Sequence, residues 1–237
     1  MEIKLSKKPK SPTIIEGFPG FGLVGTIATE FLIEHLDTEM IGKIMIEDMP
    51  AIVAIHENKV VQPLGVFYNK KYNLVILHAI NSAQGMEWKM AEAIKKLAID
   101  LEAKEIICIE GVGTAVPSDN AETQTFYFTN NKAREKVFSN MAKPLKEGII
   151  MGVTGALLLR IEKTPLSCIF AEARTEMPDS KAAAGIIKVL DKYLELKLDP
   201  EPLMKQAEKF EEKLKTILTK SKEAEEMSDK KKLSYVG

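Results

Sequence analysis

The sequence places glycines near its amino terminus at a spacing that can bind phosphate. Gly20, Gly22 and Gly25 match the pattern G-x-G-x-x-G, and Gly17 precedes them. In dinucleotide-binding proteins, such glycines let the backbone turn tightly and approach a pyrophosphate that lies at a helix N-terminus. One hypothesis is therefore that this segment binds a nucleotide or another small ligand.

The sequence around these glycines fits a ligand site or a packing contact. Ile14 and Ile15 precede the glycines, and apolar residues recur at helical spacing after them, which predicts a strand, a tight loop and a helix. Glu47 and Asp48 follow at roughly the 20-residue distance of a ribose-binding carboxylate. However, Pro19 and two phenylalanines make the loop stiffer and more apolar than a phosphate cradle needs. Glycines here can equally allow a helix to pack tightly on a sheet.

The other residues that commonly carry chemistry do not form a recognisable site. His35, His56 and His78 are far apart in sequence, and we expect His35 and His78 at the edge of the core. Cys108 and Cys168 each lie within an apolar run, which is typical of buried, unreactive thiols. The sequence has no G-x-S-x-G, H-E-x-x-H or Walker motif. We therefore predict no catalytic residue, no metal site and no cofactor.

The composition excludes several classes of protein. The chain has 237 residues, which suits one α/β domain with an appendage, and its net charge of −1 creates no positive field for nucleic acid or anionic membrane. No apolar run reaches the roughly 18 residues of a membrane span, and the lysine-rich start does not resemble a signal peptide. We expect a cytoplasmic protein. Lysine and glutamate outnumber arginine strongly, a bias typical of hyperthermophiles.

Apolar runs alternate with helical patterns over residues 1–198, which predicts one α/β domain, a three-layer αβα sandwich with a mostly parallel sheet. Residues 1–12 form either a frayed arm or a short edge strand, and Asp179 or Ser180 caps the last helix of the domain. The predicted strands lie near 14–15, 40–47, 51–56, 60–67, 73–80, 105–109, 125–129, 148–152 and 166–171. The predicted helices lie near 27–36, 84–103, 131–141, from 154 onward, and at 180–196.

Two of these connections carry further expectations. The strands at 73–80 and 105–109 are joined by a helical crossover, so we expect a parallel pair with a right-handed connection. The segment 111–120 then follows the carboxyl end of a strand, where ligands bind in open α/β sheets. A plain surface connection is the other interpretation of this loop.

A second helical pattern follows the predicted domain. Its apolar residues recur at alternating spacings of four and three, which predicts a helix within 199–220 with a narrow apolar seam. This seam packs either against another copy of the chain or against its own domain. Residues 221–237 are predicted to form a flexible charged tail. The seam consists of Leu203, Ala207, Phe210, Leu214 and Ile217.

The glycine-rich run 17–25, GFPGFGLVG, resembles the opening signature of the archaeal proteasome-assembly-chaperone family, relatives of the eukaryotic proteasome assembly chaperone 2. The resemblance continues through Pro50, Ala51 and the segments 78–84 and 110–113, and covers most of residues 10–195. It implies an ATP-independent, homo-oligomeric assembly chaperone or scaffold that is not an enzyme. The family's architecture also resembles that of nucleoside phosphorylases, an analogy of fold alone.

The resemblance also implies a role for the C-terminus. Proteasome activators and archaeal assembly chaperones have a flexible tail ending in hydrophobic-Tyr-X, which docks between adjacent α-subunits through its terminal carboxylate. Here the anchor is Tyr235, with Leu233 and Val236 beside it and Gly237 at the terminus. The tyrosine is penultimate in the family motif but third from the end in this chain. An ordinary unordered tail is the alternative interpretation.

Three functions follow from these features. The first is a chaperone whose C-terminal tails bind proteasome α-subunits, several tails together raising the effective concentration. The second is an enzyme or small-ligand binder that uses the glycine segment and the 111–120 loop. The third is a scaffold that binds another member of the same family.

Overall fold

The computed structural model describes residues 2–48, 53–56, 58–80, 84–113, 123–173 and 178–205. The strands are β1 (Glu2–Leu5), β2 (Thr13–Gly17), β3 (Thr38–Met45), β4 (Ala54–His56), β5 (Lys59–Val61), β6 (Leu64–Asn69), β7 (Leu74–Ala79), β8 (Glu105–Gly113), β9 (Thr125–Thr129), β10 (Lys143–Pro144) and β11 (Leu166–Ala173). The helices are α1 (Val24–His35), α2 (Glu87–Asp100), α3 (Lys132–Phe138), α4 (Gly152–Arg160), α5 (Ser180–Leu194) and α6 (Glu201–Lys205). A short 3-10 turn, Phe21–Leu23, precedes α1.

Nine strands form one mixed sheet in the order β1-β3-β6-β7-β2-β8-β11-β9-β10, and β4 pairs with β5 separately. The central strands β7, β2, β8 and β11 are parallel and almost wholly buried. Antiparallel pairing joins β1, β3, β6 and β7 on one side and β9 to β11 on the other. The prediction of a mostly parallel sheet is therefore wrong. A connection as short as the one between β6 and β7 can only join antiparallel neighbours.

Helices cover both faces of the sheet. One face packs against α2 and α4, through side chains that include Met90 and Leu157. The other packs against α1, α3 and α5, through side chains that include Phe31, Phe138 and Ile187. This arrangement has the three αβα layers that the alternating pattern predicts. It also explains why the central strands are apolar along their whole length, since both of their faces are covered.

The strand β2 occupies a position that the sequence pattern does not indicate. It pairs in parallel with β7 on one side and with β8 on the other. The strands at 73–80 and 105–109 are therefore parallel but not neighbours, which corrects the expected pair. All five residues of β2 are buried, so a central position with helices on both sides suits this strand.

The strand predicted at 148–152 is also wrong. Within it, Ile149 is 87% exposed and Met151 is 58% exposed, so the apolar run faces outward. Gly152 has φ +71° and begins α4. The other predicted strands and helices are present within a few residues of the expected bounds, apart from a break between β5 and β6 in the predicted 60–67 strand.

Two smaller expectations are confirmed at the ends of the domain. Residues 2–5 form an edge strand, β1, which pairs with β3. Asp179 caps α5, because its side chain accepts a hydrogen bond from the Ala182 amide at 2.9 Å. Among the helices of the described segments, none has the length and apolar character needed to cross a membrane.

Candidate functional site

The glycine segment forms a tight turn at the carboxyl end of β2. The turn is closed by a hydrogen bond from the Leu23 amide to the Gly20 carbonyl at 3.0 Å. Gly22 has φ +61° and Leu23 has φ +50°. Both angles lie in the left-handed region, which glycine adopts without cost and other residues adopt rarely. The sequence folds this way because a strand must reverse into α1 within a few residues.

The outer glycines of this segment serve backbone packing. A Cβ atom on Gly17 would collide with the Gly25 carbonyl oxygen, and one on Gly25 would lie 2.6 Å from the carbonyl oxygen of Ile109 in β8. A Cβ atom on Gly111 would collide with the Phe21 carbonyl oxygen. The start of α1 therefore lies directly on β2 and β8, backbone against backbone.

The surroundings of this turn do not favour a bound dinucleotide. A Cβ atom on Gly20 would lie 3.0 Å from Glu110 Oε1, so a carboxyl group stands beside the turn where a phosphate would need cationic or amide donors. The acidic pair Glu47 and Asp48 follows β3, which β6 and β7 separate from β2. Asp48 instead forms an ion pair with Lys89 at 2.7 Å. The geometry therefore favours the packing interpretation of the glycines.

A pair of buried carboxyl groups lies next to the turn, and our sequence analysis missed it. Glu16 is 1% exposed near the end of β2, and Glu110 lies near the end of β8. Each follows an isoleucine and precedes a glycine, in the tripeptide Ile-Glu-Gly. A glutamate that recurs at the end of an apolar run was the available signal. Both side chains face α4, where the Thr154 hydroxyl donates a hydrogen bond to Glu16 Oε1 at 3.2 Å.

Burial changes the acidity of both groups. Loss of hydration raises the pKa of Glu16 from 4.5 to about 7, with a smaller contribution from the negative charge of Glu110, while hydrogen bonds with Cys108 and Thr154 oppose the shift. Burial also raises the pKa of Glu110 to about 7, and Thr154 again opposes it. The Oε2 atom of Glu110 has no hydrogen-bond partner among the residues that the structure describes. Burial thus favours the neutral form of both carboxyl groups.

Glu110 also borders an open groove of about 800 Å³, which we call the β8–β11 groove. It lies at the carboxyl ends of these two parallel strands, the usual position of ligand sites in α/β sheets. Its apolar lining includes Phe21, Val112, Phe126, Leu145, Ile150 and Met151. The volume of the groove suits a peptide segment or a small molecule.

A second polar cluster resembles a catalytic triad but is closed to substrate. Nδ1 of His78 lies 2.8 Å from the Thr29 hydroxyl, and Nε2 lies 3.0 Å from Glu30 Oε2. Thr29 is completely buried, and its hydroxyl donates to the Gly25 carbonyl at 2.9 Å. A nucleophilic hydroxyl group must be accessible to the substrate and must be able to transfer its proton to a base. We therefore interpret the cluster as a structural contact between α1 and β7.

The remaining candidate residues are distributed as follows. His78 is buried as expected, whereas His35 is exposed and stacks on Phe31. Cys108 and Cys168 are buried opposite each other on β8 and β11. Among the residues that the structure describes, no group of three or more His, Cys, Asp or Glu side chains is arranged to hold a metal ion.

The predicted seam and tail lie almost entirely outside the described residues. Leu203 belongs to α6, but its side chain is not among those that the structure describes. The remaining seam residues, from Ala207 to Ile217, and the tail residues Leu233, Tyr235, Val236 and Gly237 follow the described segments. Of the predicted 111–120 loop, residues 111–113 continue β8, and the rest also lies outside.

A model of the PAC2 family matches residues 14–218. The chain belongs to the PAC2 family. This confirms the resemblance carried by the glycine-rich run and the later segments. Among curated proteins, the uncharacterised protein MJ0106 of Methanocaldococcus jannaschii is 26% identical over 210 residues, which cover 88% of this chain and 86% of that protein.

Solved structures extend the comparison of this PAC2-family chain. PbaA of Pyrococcus furiosus, an archaeal homologue of proteasome-assembly chaperone, is 29% identical with a TM-score of 0.82, and the match covers 94% of this chain and 100% of PbaA. PbaB of the same organism, an archaeal proteasome activator, is 22% identical with a TM-score of 0.75 over 91% of this chain and 98% of PbaB. The likeness to PbaB is one of fold.

The packing of the glycines predicts the effect of one added methyl group. The substitution Gly25→Ala should lower the free energy of unfolding by about 1–3 kcal/mol, because the new Cβ overpacks against the Ile109 carbonyl. Chemical denaturation measures this change. Gly148→Ala is the control, since its Cβ would find its nearest neighbour at 3.5 Å. Equal stabilities of the two variants would contradict the packing interpretation.

The raised pKa of Glu16 predicts a pH dependence of stability. Between its unfolded pKa of 4.5 and its folded pKa of about 7, unfolding releases a proton, so the free energy of unfolding falls as the pH rises. Glu16→Gln removes this contribution and should gain up to about 3 kcal/mol relative to wild type across that window. Denaturation at pH 4.5, 6 and 8 measures it.

The exposed Glu135 of α3 provides the matched control for this experiment. Glu135→Gln should differ from wild type by a constant amount over the same pH range. If the difference between Glu16→Gln and wild type were equally constant, Glu16 would not be held as a neutral acid in the fold.

Proposed function

We propose that this protein is an ATP-independent, homo-oligomeric proteasome-assembly chaperone or a scaffold of that kind, and that its C-terminal tails bind proteasome α-subunits. The similarity to PbaA, which extends over the whole of that chain at 29% identity, is the observation that carries the proposal. The family match over residues 14–218 supports it. The fold resemblance to PbaB agrees with a proteasome-related partner.

The described surface supports protein binding. Large apolar side chains are exposed on several elements, among them Ile55 of β4, Trp88 of α2 and Leu159 of α4. Burial of such side chains stabilises association between proteins, so these residues are available for contacts with a partner. Glu16, Thr29 and His78, in contrast, are buried and closed to a substrate.

The two C-terminal segments have complementary roles in this proposal. The seam from Leu203 to Ile217 joins copies of the chain, and the tail ending at Gly237 presents Tyr235 to a ring of α-subunits. Several tails on one oligomer act together, so contacts that are individually weak gain a high effective concentration. The position of Tyr235, third from the end, keeps a scaffold that binds another family member as the second candidate.

Deletion of residues 233–237 should abolish co-elution with recombinant proteasome α-subunits in size-exclusion chromatography with light scattering. The deletion removes the aromatic anchor and the terminal carboxylate position together, while the described domain is untouched. Ser234→Ala is the control, because it preserves Leu233, Tyr235 and Val236. A full-length oligomer that ignores α-subunits would refute tail-mediated chaperoning and favour the scaffold or ligand-binding alternatives.

Replacement of two seam residues tests the oligomer separately. Phe210→Glu combined with Leu214→Glu should reduce the mass measured by light scattering to that of the single 26.4 kDa chain, because two charges would be buried in an apolar contact. Lys213→Glu changes a charge beside the seam and should leave the mass unchanged. A double variant with the wild-type mass would show that the seam packs within its own chain.

A further inference from the structure

The β8–β11 groove combines an apolar wall with acidic groups. Besides the apolar side chains already described, its lining among the described residues contains the carboxyl groups of Glu110, Glu147 and Glu172 and one cationic side chain, Lys146. At its rim, Ile149 and Met151 are the most exposed apolar residues, at 87% and 58%. An occupant that fits this lining carries positive charge beside apolar side chains.

One segment of the chain has this composition. Residues 230–237, KKKLSYVG, place three consecutive lysines directly before Leu233, Tyr235 and Val236. We propose that the β8–β11 groove binds this C-terminal segment of its own chain, with the apolar side chains against the groove wall and the lysines near its carboxyl groups. This inference concerns the groove and does not require that α-subunits bind the tail.

The Glu110 carboxyl group, which borders the groove, lacks one hydrogen-bond donor among the described residues. Its Oε2 atom is buried without a partner in the described segments, and a buried acceptor without a donor is energetically costly. A lysine ammonium group or a backbone amide of residues 230–237 would supply the donor. Such a contact also favours the ionised form of Glu110, which burial otherwise disfavours.

The tether between the domain and this segment is long enough. The 24 residues from 206 to 229 separate this segment from the last described residue, Lys205. Fully extended they span about 80 Å, whereas a compact domain of this size has a radius of gyration of about 17 Å. The segment can therefore reach any face of its own domain. A covalent tether also gives it an effective concentration in the millimolar range, an advantage over a free peptide or a second copy.

The experiment measures binding of a fluorescent KKKLSYVG peptide by anisotropy to two full-length proteins. One is the wild type, and the other is a tail variant with Lys230→Glu, Lys231→Glu, Lys232→Glu, Leu233→Ser and Tyr235→Ser. The tail variant should bind the peptide at least 10-fold more tightly, because in the wild type the tethered segment competes for the groove. This ratio should not depend on protein concentration.

Groove substitutions in the tail-variant background locate the site. Met151→Lys should weaken peptide binding at least 10-fold, since it adds a positive charge at the rim, and Glu110→Gln should weaken it about 5-fold. The matched control is Leu159→Lys, because Leu159 is a similarly exposed apolar residue of α4 that does not line the groove. It should leave the affinity unchanged.

Three results would overturn the inference. The first is equal affinity of the wild type and the tail variant for the peptide, which would mean that no tethered segment competes. The second is unchanged binding in Met151→Lys, which would place the peptide elsewhere. The third is competition that disappears on dilution of the wild type or in the Phe210→Glu/Leu214→Glu variant, which would assign the groove to the segment of a second copy. Thermal denaturation verifies that each variant is folded.

Discussion

The structure depends on the backbone contact between the start of α1 and the centre of the sheet. Because Gly17, Gly25 and Gly111 lack side chains, the turn after β2 lies directly on β8. No other residue type permits this approach without moving a central strand. The contact also places Phe21 at the wall of the β8–β11 groove and Gly20 beside Glu110. A run of glycines that resembles a phosphate loop thus has its principal effect on packing, and it shapes the neighbouring site through that packing.

Removing the carboxyl groups of Glu16 and Glu110 from water lowers the stability of the fold. Apolar residues in place of Glu16 and Glu110 would avoid the loss of hydration that raises both pKa values to about 7. Hydrogen bonds with Thr154 and Cys108 offset part of the free-energy cost of burying the Glu16 carboxylate. Glu110 differs, because it reaches the groove and one of its oxygens lacks a described partner. Glu16 is therefore part of the core, whereas Glu110 borders a surface where a binding partner can supply a hydrogen-bond donor.

Sequence periodicity predicts most helices and strands, but it does not predict which strands are neighbours in the sheet. The helix α2 and the strand β9 follow directly from the spacing of their apolar residues. The position of β2 between β7 and β8 could not be derived, because an apolar strand carries no information about which neighbours it will pair with. The strand predicted at 148–152 is wrong for a different reason. It is apolar like a buried strand, yet Ile149 and Met151 face outward at the groove rim.

The same comparison explains why the site itself was missed. Glu16 and Glu110 each end an apolar run. The apolar residues of these runs predict buried strands, and this prediction gives the glutamates no role. The repeated tripeptide Ile-Glu-Gly was visible in the sequence, but its significance depends on β2 and β8 being neighbours, which only the fold provides. The groove could not be predicted either, since its lining comes from five separate segments, including the turn before α1 and the residues before α4.

The distribution of polar and apolar groups in the described residues is consistent with the binding role proposed above. In an enzyme, groups that exchange protons must meet the substrate in an accessible cleft. Here the Thr29–His78–Glu30 cluster has a suitable order of groups, but its hydroxyl is buried and already donates to a backbone carbonyl. Side chains that are usually buried, such as Ile149 and Leu159, are instead exposed. Because burial of apolar surface drives association between proteins, these exposed side chains favour contact with a polypeptide.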